Sequence, residues 1–330
     1  ATKYTLTYNP NGGSVYPTSK QLAAGEKYGT LPIPKREGYT FDGWYTSPYS
    51  YFATKVSADT VMGSFNVTIY AHWTENVKTY TVKYNGNGNT GGSTASSTHT
   101  VGVAKNLTAN GFTRTGYAFA GWNTSANGNG TSYADKESVK DLSTTNGATV
   151  TLYAKWTPRE YQLTMNPNGG AFADGNTNAK TLSPNLIYDG TNWHNVSSNT
   201  VSRTGYTFDG WYDKATGGEK VYNTDGSCIS GTYWKNNTYK YTGNLTVYAH
   251  WTAKKYTVTY NSNGGSGSMA TDTVTYGTAY RTKANQFTKT GYTFVGWNEK
   301  ADGTGSDWTS WIGKDWTWTY TKNVTLYAQW

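Results

Sequence analysis

Several things are scarce in this 330-residue chain, and each scarcity narrows what it can be. It has one cysteine, Cys228, so no disulfide can staple a small core within the chain. Charged residues are only 15% of the total, and the Lys and Arg side chains are scattered singly or in pairs. The formal charge of +8 therefore has no basic stripe to follow a phosphate backbone, and nucleic acid is not an expected partner. No apolar run reaches the roughly 18–20 residues that a membrane helix needs, and no secretory leader is recognisable. The four histidines have no metal-ligand spacing, and H-E-x-x-H is absent. Asp302, Asp307 and Asp315 lack the D-x-D-x-D-G spacing of a calcium loop, and Gly313–Trp316 lacks the upstream glycines of a P-loop. No cofactor and no enzymatic activity is expected.

What is abundant is aromatic. Tyr, Trp and Phe make up 16% of the chain, and each buried ring removes roughly 150–250 Å² from water, compensation for cores that lack disulfides. These rings recur in order. A box reads GYTFDGW at Gly38–Trp44, GYAFAGW at Gly116–Trp122, GYTFDGW at Gly205–Trp211 and GYTFVGW at Gly291–Trp297. Closing segments VTIYAHW, VTLYAKW, LTVYAHW and VTLYAQW end at Trp73, Trp156, Trp251 and Trp330. Self-similarity of this kind marks tandem modules, here of about 70–95 residues. The boundaries fall at 1–76, 77–158, 159–253 and 254–330, with short polar joints at Thr74–Thr79, Thr157–Glu160 and Thr252–Lys255.

The period within each unit is two, the period of a strand. Val67, Ile69, Ala71 and Trp73 share one face of a closing strand, and Tyr4, Leu6 and Tyr8 share one face of an opening strand. Three opening strands run into Asn-Gly-Gly, at Asn11, Asn168 and Asn263, a strong hairpin-turn signal. The second repeat spells this turn differently, around Asn85–Gly92, and a longer loop is expected there. The glycine before each box Trp fits a bulge or a close backbone approach. Helix is scarce, with Tyr133–Leu142 the best candidate. The expected fold is mainly β, four small modules with little helix in an elongated, semi-rigid row.

The combination of Y-x-(V/L)-x-(Y/M)-N, N-G-G, G-Y-x-F-x-G-W and (V/L)-T-(V/L/I)-Y-A-x-W resembles the Listeria–Bacteroides repeat, the B-repeat of internalin-type surface proteins. The motifs recur four times across nearly the whole chain. The resemblance implies β-grasp-like modules in large, typically Gram-positive surface proteins, where arrays serve as spacers or adhesive segments, and it brings no catalytic residues. The composition, rich in Gly, Asn, Thr and Tyr, fits an extracellular bacterial protein, on the cell surface or secreted, and the framing of the repeats leads us to expect a monomeric fragment of a longer chain.

Comparison of the repeats with one another separates scaffold from novelty. Two tryptophans per unit are scaffold, and the others, Trp193, Trp234, Trp308, Trp311, Trp316 and Trp318, all lie in the third and fourth repeats. The third repeat is also longer between Gly170 and Gly205 and between Trp211 and Trp251. Tyr239 and Tyr241 align with Trp318 and Tyr320, where the first two repeats have no aromatic residue. The alternation of Trp316, Trp318 and Tyr320 puts three rings on one strand face. Two readings stand side by side. The rings form an exposed platform for a host or dietary glycan, or an anchor for a host surface protein; or they pack beneath the longer loops as a satellite core. The candidate ligand residues are Trp308, Trp311, Trp316, Trp318, Tyr320, Trp234, Tyr239, Tyr241 and Trp193. Cys228 reads as a small buried side chain.

Overall fold

The computed structural model describes residues 1–191 and 196–330. Trp193, one of the candidate ligand residues, lies outside them. The chain forms two compact units, one made of residues 1–87, 93–111 and 121–154, the other of residues 88–92, 112–120 and 155–330. It is mainly β, in four tandem repeats.

In the first repeat the opening strand Lys3–Asn9 pairs antiparallel with Ser19–Ala23 and parallel with the closing strand Val67–Glu75. The box strand Tyr39–Tyr45 flanks the closing strand, antiparallel, with Trp44 opposite Ala71. The first and last strands of the repeat are thus central neighbours. A parallel pair cannot be joined by a tight turn, so the rest of the module becomes the crossover. The fourth repeat repeats this order with Asp272–Thr275, Lys255–Asn261, Val324–Gln329 and Gly296–Asn298. The third repeat does so with Lys180–Thr181, Leu163–Asn166, Leu245–Ala253 and Tyr206–Tyr212. In the second repeat Thr79–Asn85 again pairs antiparallel with Ser97–Thr100 and parallel with Thr149–Tyr153. The strand faces follow the period of two: Leu6, Tyr8, Ile69 and Ala71 are buried, as are their counterparts Val258, Tyr260, Leu326 and Ala328.

The box motif has a geometric explanation. Its Phe and Trp stand three residues apart, so strict alternation would aim them to opposite faces. The register shifts between Phe41 and Gly43, and again between Phe208 and Gly210, and Gly43 sits at φ +142°. That bulge turns both rings inward. Phe41 then meets Trp44 at 5.7 Å and Trp73 at 5.6 Å; Phe294 meets Trp297 at 5.0 Å and Trp330 at 6.0 Å. One Phe bridges the two scaffold tryptophans.

The Asn-Gly turn does more than reverse the chain. Asn11, Asn87, Asn168 and Asn263 all have φ 47°. Each donates from Nδ2 to the closing-strand alanine carbonyl, Ala71, Ala154, Ala249 and Ala328, at 2.9–3.0 Å. The closing indole answers: Trp73 Nε1 donates to the Pro10 carbonyl and Trp330 Nε1 to the Ser262 carbonyl, both at 2.9 Å. The next glycine leaves room for that indole, since a Cβ on Gly13 would lie 2.7 Å from Trp73 Cζ2. The second repeat keeps the same turn at Asn87–Gly88, with Gly88 at φ +86°. The unusual spelling there alters the following residues, where Gly91–Gly92 pair with Phe112–Thr113, and not the turn itself.

The expected helix at Tyr133–Leu142 does not form. Ser132–Tyr133 and Ser138–Val139 are strands, Lys136 and Asp141 adopt positive φ, and the Glu137 carboxylate accepts the Ala134 amide. The only helical segments among the described residues are the 3-10 turns Val196–Ser198 and Thr309–Trp311.

Within the second unit, successive repeats meet through tyrosine. Tyr276 of the fourth repeat packs on Gly205 and meets Tyr206 edge-on at 5.6 Å; Tyr188 of the third packs on Gly116 and meets Tyr117 at 5.7 Å. Backbone bonds lock the same joints: Lys254 N donates to Gly205 O and Tyr276 N to Lys254 O, both at 2.9 Å. A cation backs each tyrosine, Arg203 over Tyr206 at 4.0 Å and Arg114 over Tyr117 at 4.1 Å. In the first unit the corresponding joint uses Asn76 N to Gly38 O, with Val101 in the place of the tyrosine and nothing packed on Gly38.

Candidate functional site: an aromatic pocket in the fourth repeat

The fourth repeat carries its novelty between the box strand and the closing strand. Buried Asn298 ties the start of this insertion, donating from Nδ2 to the Gly303 and Gly305 carbonyls and accepting the Lys300 and Gly305 amides at Oδ1. Trp308 N then donates to Trp297 O, extending the box strand. Asp307 Oδ1 accepts the Thr309 amide at 2.8 Å at the start of the 3-10 turn that presents Trp311. The strand Asp315–Thr317 returns antiparallel to Ala279–Arg281, with Trp316 opposite Tyr280 and a two-pronged Arg281–Asp315 pair at 2.8 Å.

An open pocket of ≈ 230 Å³ results, walled by Trp311, Trp316 and Tyr320 over a floor of Trp308, with Ser306, Asp307 and Thr319 at its rim. Trp311 is 45% exposed, whereas Trp308 is 2% exposed. The rings are steeply inclined. Trp308 and Trp316 lie 5.2 Å apart at 77°, Trp311 and Trp316 5.9 Å apart at 50°, and Trp316 and Tyr320 6.0 Å apart at 76°. Hydrogen bonds from Thr309, through side chain and backbone, hold the Asp307 carboxyl below the usual carboxylate range.

The candidate residues therefore divide. Trp308, Trp311, Trp316 and Tyr320 come together around one pocket. Trp318 is fully buried behind them, its Nε1 donating to Tyr320 O at 2.8 Å, and Tyr280 packs against it at 5.4 Å. The alternating rings do share a side of the chain, but Trp308 and Tyr280 cover much of it: of the two readings, packing holds for Trp318 and exposure for Trp311, in an angular cluster with one open end. Trp234 and Tyr239 are likewise core. They pair across a short hairpin at 5.3 Å, Trp234 meets Tyr222, and Tyr239 OH donates to Gly243 O. Both rings join the main core of the third repeat, with Leu163, Trp211 and Val247. Tyr241 remains exposed beside Tyr233.

His72, His250 and Cys228 make local structural contacts. His72 stacks on Tyr45 at 4.1 Å with Nε2 2.8 Å from Ser47 O, and His250 repeats this with Tyr212 and Lys214 O. In the fourth repeat Gln329 Nε2 donates to Lys300 O instead, so the position calls for a donor rather than an imidazole. Cys228 is half-buried with Sγ 3.4 Å from Asn237 Oδ1, and burial pushes its thiol pKa up. Among the described residues no three His, Cys, Asp or Glu side chains are placed to hold a metal ion, and no helix is long and apolar enough to cross a membrane.

Two features are not visible in the tryptophan excess. One is the run of exposed aromatic residues Tyr49, Tyr51 and Phe52 on a first-repeat loop, which contains no tryptophan. The other is the pair of tyrosine joints, because Tyr188 and Tyr276 lie outside the shared box; the recurrence of Arg-Thr-Gly-Tyr at Arg114–Tyr117 and Arg203–Tyr206 is their one signal in the sequence.

The profile of the Listeria-Bacteroides repeat domain matches residues 4–72, 80–155, 161–250 and 256–329. The chain belongs to the Listeria-Bacteroides repeat domain family. Each match covers one repeat of the fold, from opening strand to closing strand. This Listeria-Bacteroides repeat array is 27% identical over 345 residues to a provisionally named membrane protein of Evansella cellulosilytica, covering 99% of this chain and 43% of that protein. It is 28% identical over 313 residues to a Gly-rich membrane protein, also provisionally named, of the same organism, covering 89% of this chain and 31% of the relative. It is 36% identical over 129 residues to internalin H of Listeria monocytogenes, covering 39% of this chain and 20% of the relative. The chain thus spans less than half the length of each of these relatives.

Proposed function

We propose that this repeat array is a non-catalytic stalk and adhesive module of an extracellular bacterial surface protein, with its contact point in the fourth-repeat pocket. Four grasp-like modules supply the stalk. The membrane-protein and internalin names of its relatives support the cell-surface setting. The observation that carries the adhesive role is the exposure of Trp311 beside Trp316 and Tyr320 over a buried indole floor, since aromatic anchors at the mouth of a preformed pocket are what binding surfaces use. The partner is a host surface protein or a glycan. For a glycan, the steep ring angles favour one sugar unit or pendant group over a polysaccharide laid along a flat platform. Weak single contacts would be strengthened by display of many copies on a cell.

The test compares the intact chain with Trp311→Ala on glycan and host-protein arrays. Hits lost in the variant support an adhesin acting through this pocket. Hits that survive the substitution remove the pocket from the adhesive role, and silence from both proteins leaves the stalk alone.

A further inference from the structure

Given that the fourth-repeat pocket is a ligand site, its geometry narrows the ligand to one class. We infer that the pocket accepts a quaternary or trimethylated ammonium head group, held between the rings of Trp311, Trp316 and Tyr320 above buried Trp308 and attracted by the Asp307 carboxylate at the rim.

Three observations converge. The first is angular. A sugar ring stacks on a flat aromatic face, whereas a tetrahedral cation touches rings on several sides. Neighbouring rings are inclined by 44° for Trp308 and Tyr320, 50° for Trp311 and Trp316, and 76–77° for the Trp308–Trp316 and Trp316–Tyr320 pairs, so the lining is angular rather than flat.

The second concerns hydrogen bonding. Trp308 Nε1 donates to Glu299 Oε1 at 3.1 Å and Trp316 Nε1 to Thr282 Oγ1 at 3.4 Å, while Trp318 Nε1 is taken by the Tyr320 carbonyl. Those indole N–H groups are spent within the protein, which leaves their rings to offer π faces rather than donors. Such walls favour a methylated cation, which cannot donate a hydrogen bond, and leave the polar contacts to Ser306, Asp307 and Thr319 at the rim.

The third is charge and size. Among the described residues no Lys or Arg lines the pocket, and the charged side chain that does is Asp307. Two cations nearby are paired, Arg281 with Asp315 and Lys322 with Glu299 at 2.9 Å. A volume of ≈ 230 Å³ is below the roughly 300 Å³ at which drug-sized sites begin, which suits a head group alone. The same head group is presented by free choline and, with an added anion, by phosphocholine. The Asp307 rim favours the former.

The experiment titrates the intact chain with tetramethylammonium, choline, phosphocholine and the neutral choline isostere 3,3-dimethylbutan-1-ol, read by calorimetry and indole NMR shifts. Tetramethylammonium and choline should bind saturably, phosphocholine more weakly, and the isostere not measurably. Trp311→Ala should weaken choline binding by about tenfold, the scale of losing one cation–π wall. Asp307→Asn keeps an acceptor for the Thr309 amide and removes the charge, so it should weaken the ammonium ligands while the fold persists. Equal binding of choline and the isostere, or no binding of either ammonium ion at millimolar concentration, overturns the inference. The glycan and host-protein arrays separate the two ideas: hits sensitive to Trp311→Ala without ammonium binding sink the ligand class and keep the adhesin, whereas ammonium binding with silent arrays does the reverse.

Discussion

The ring of Tyr276 lies so close over Gly205 that a Cβ there would overlap it, and the same ring meets Tyr206 edge-on at 5.6 Å. A residue with no side chain in one repeat is thus the seat for an aromatic residue of the next. Gly291 occupies the equivalent box position in the fourth repeat, at φ +80°, with nothing within 4 Å of its would-be Cβ. The pair gives an internally controlled test. Gly205→Ala and Gly291→Ala share the cost of forcing a side chain into left-handed backbone, about 1–2 kcal/mol. Gly205→Ala should cost at least about 1 kcal/mol more, because it also displaces Tyr276. Urea unfolding of the two variants measures the difference, and equal losses would mean that the ring contact contributes nothing.

Asn263 offers a second test. Its Nδ2 donates to Ala328 O at 2.9 Å and Ala301 O at 2.8 Å, and its φ is 47°. Asn263→Gly keeps the backbone conformation and loses both bonds, which predicts a loss of about 1–3 kcal/mol. Asn263→Ala adds the left-handed strain and should be worse by about 1 kcal/mol. If glycine proves as good as asparagine in chemical denaturation, the side-chain lock is not what selects asparagine here.

Trp318 and Trp311 belong to one cluster and should behave oppositely. Trp318 is fully buried, so Trp318→Ala should destabilise the fourth repeat by about 3–5 kcal/mol. Trp311 is half-exposed, and Trp311→Ala should shift stability by well under about 1 kcal/mol while weakening ligand capture. Thermal unfolding alongside a binding readout separates them. A Trp311→Ala protein that has lost its folded fourth repeat would return this ring to the core.

His99 predicts a pH dependence. It is buried against Tyr80 at 5.3 Å with Ser97 Oγ 2.9 Å from Nε2, and burial first, then the positive charge of Lys105, lowers its pKa below 6.5. The unfolded chain therefore binds a proton more readily than the folded one between the depressed pKa and 6.5. Stability of the second repeat should be constant above about pH 7 and fall as the pH drops through about 6.5 toward the folded-state value. Melting curves from about pH 7.5 to 5 should show this slope in the native protein and a flatter profile in His99→Gln. Identical slopes would assign the dependence to other groups.

Much of this molecule was legible in one dimension because its order is local and repeated. The four-fold recurrence of the box and closing strand, the buried rows such as Ile69 and Ala71, and the bulges before Trp44 and Trp211 follow from periodicity and from the stereochemistry of glycine. The helix expected over Tyr133–Leu142 failed where positive φ at Lys136 and Asp141 made turns, a choice that short polar segments leave to their surroundings.

The strands, their inward faces and the family of the fold are written in residues close along the chain. Which extra rings meet solvent is settled by long-range packing instead. Trp316, Trp318 and Tyr320 alternate correctly, but alternation says which rings share a side and not what packs over that side. Tyr280, distant in sequence, covers Trp318, and the 3-10 turn of Thr309–Trp311 lifts Trp311 clear. Burial depends on contacts made across long chain separations, and those exist only once the fold has closed.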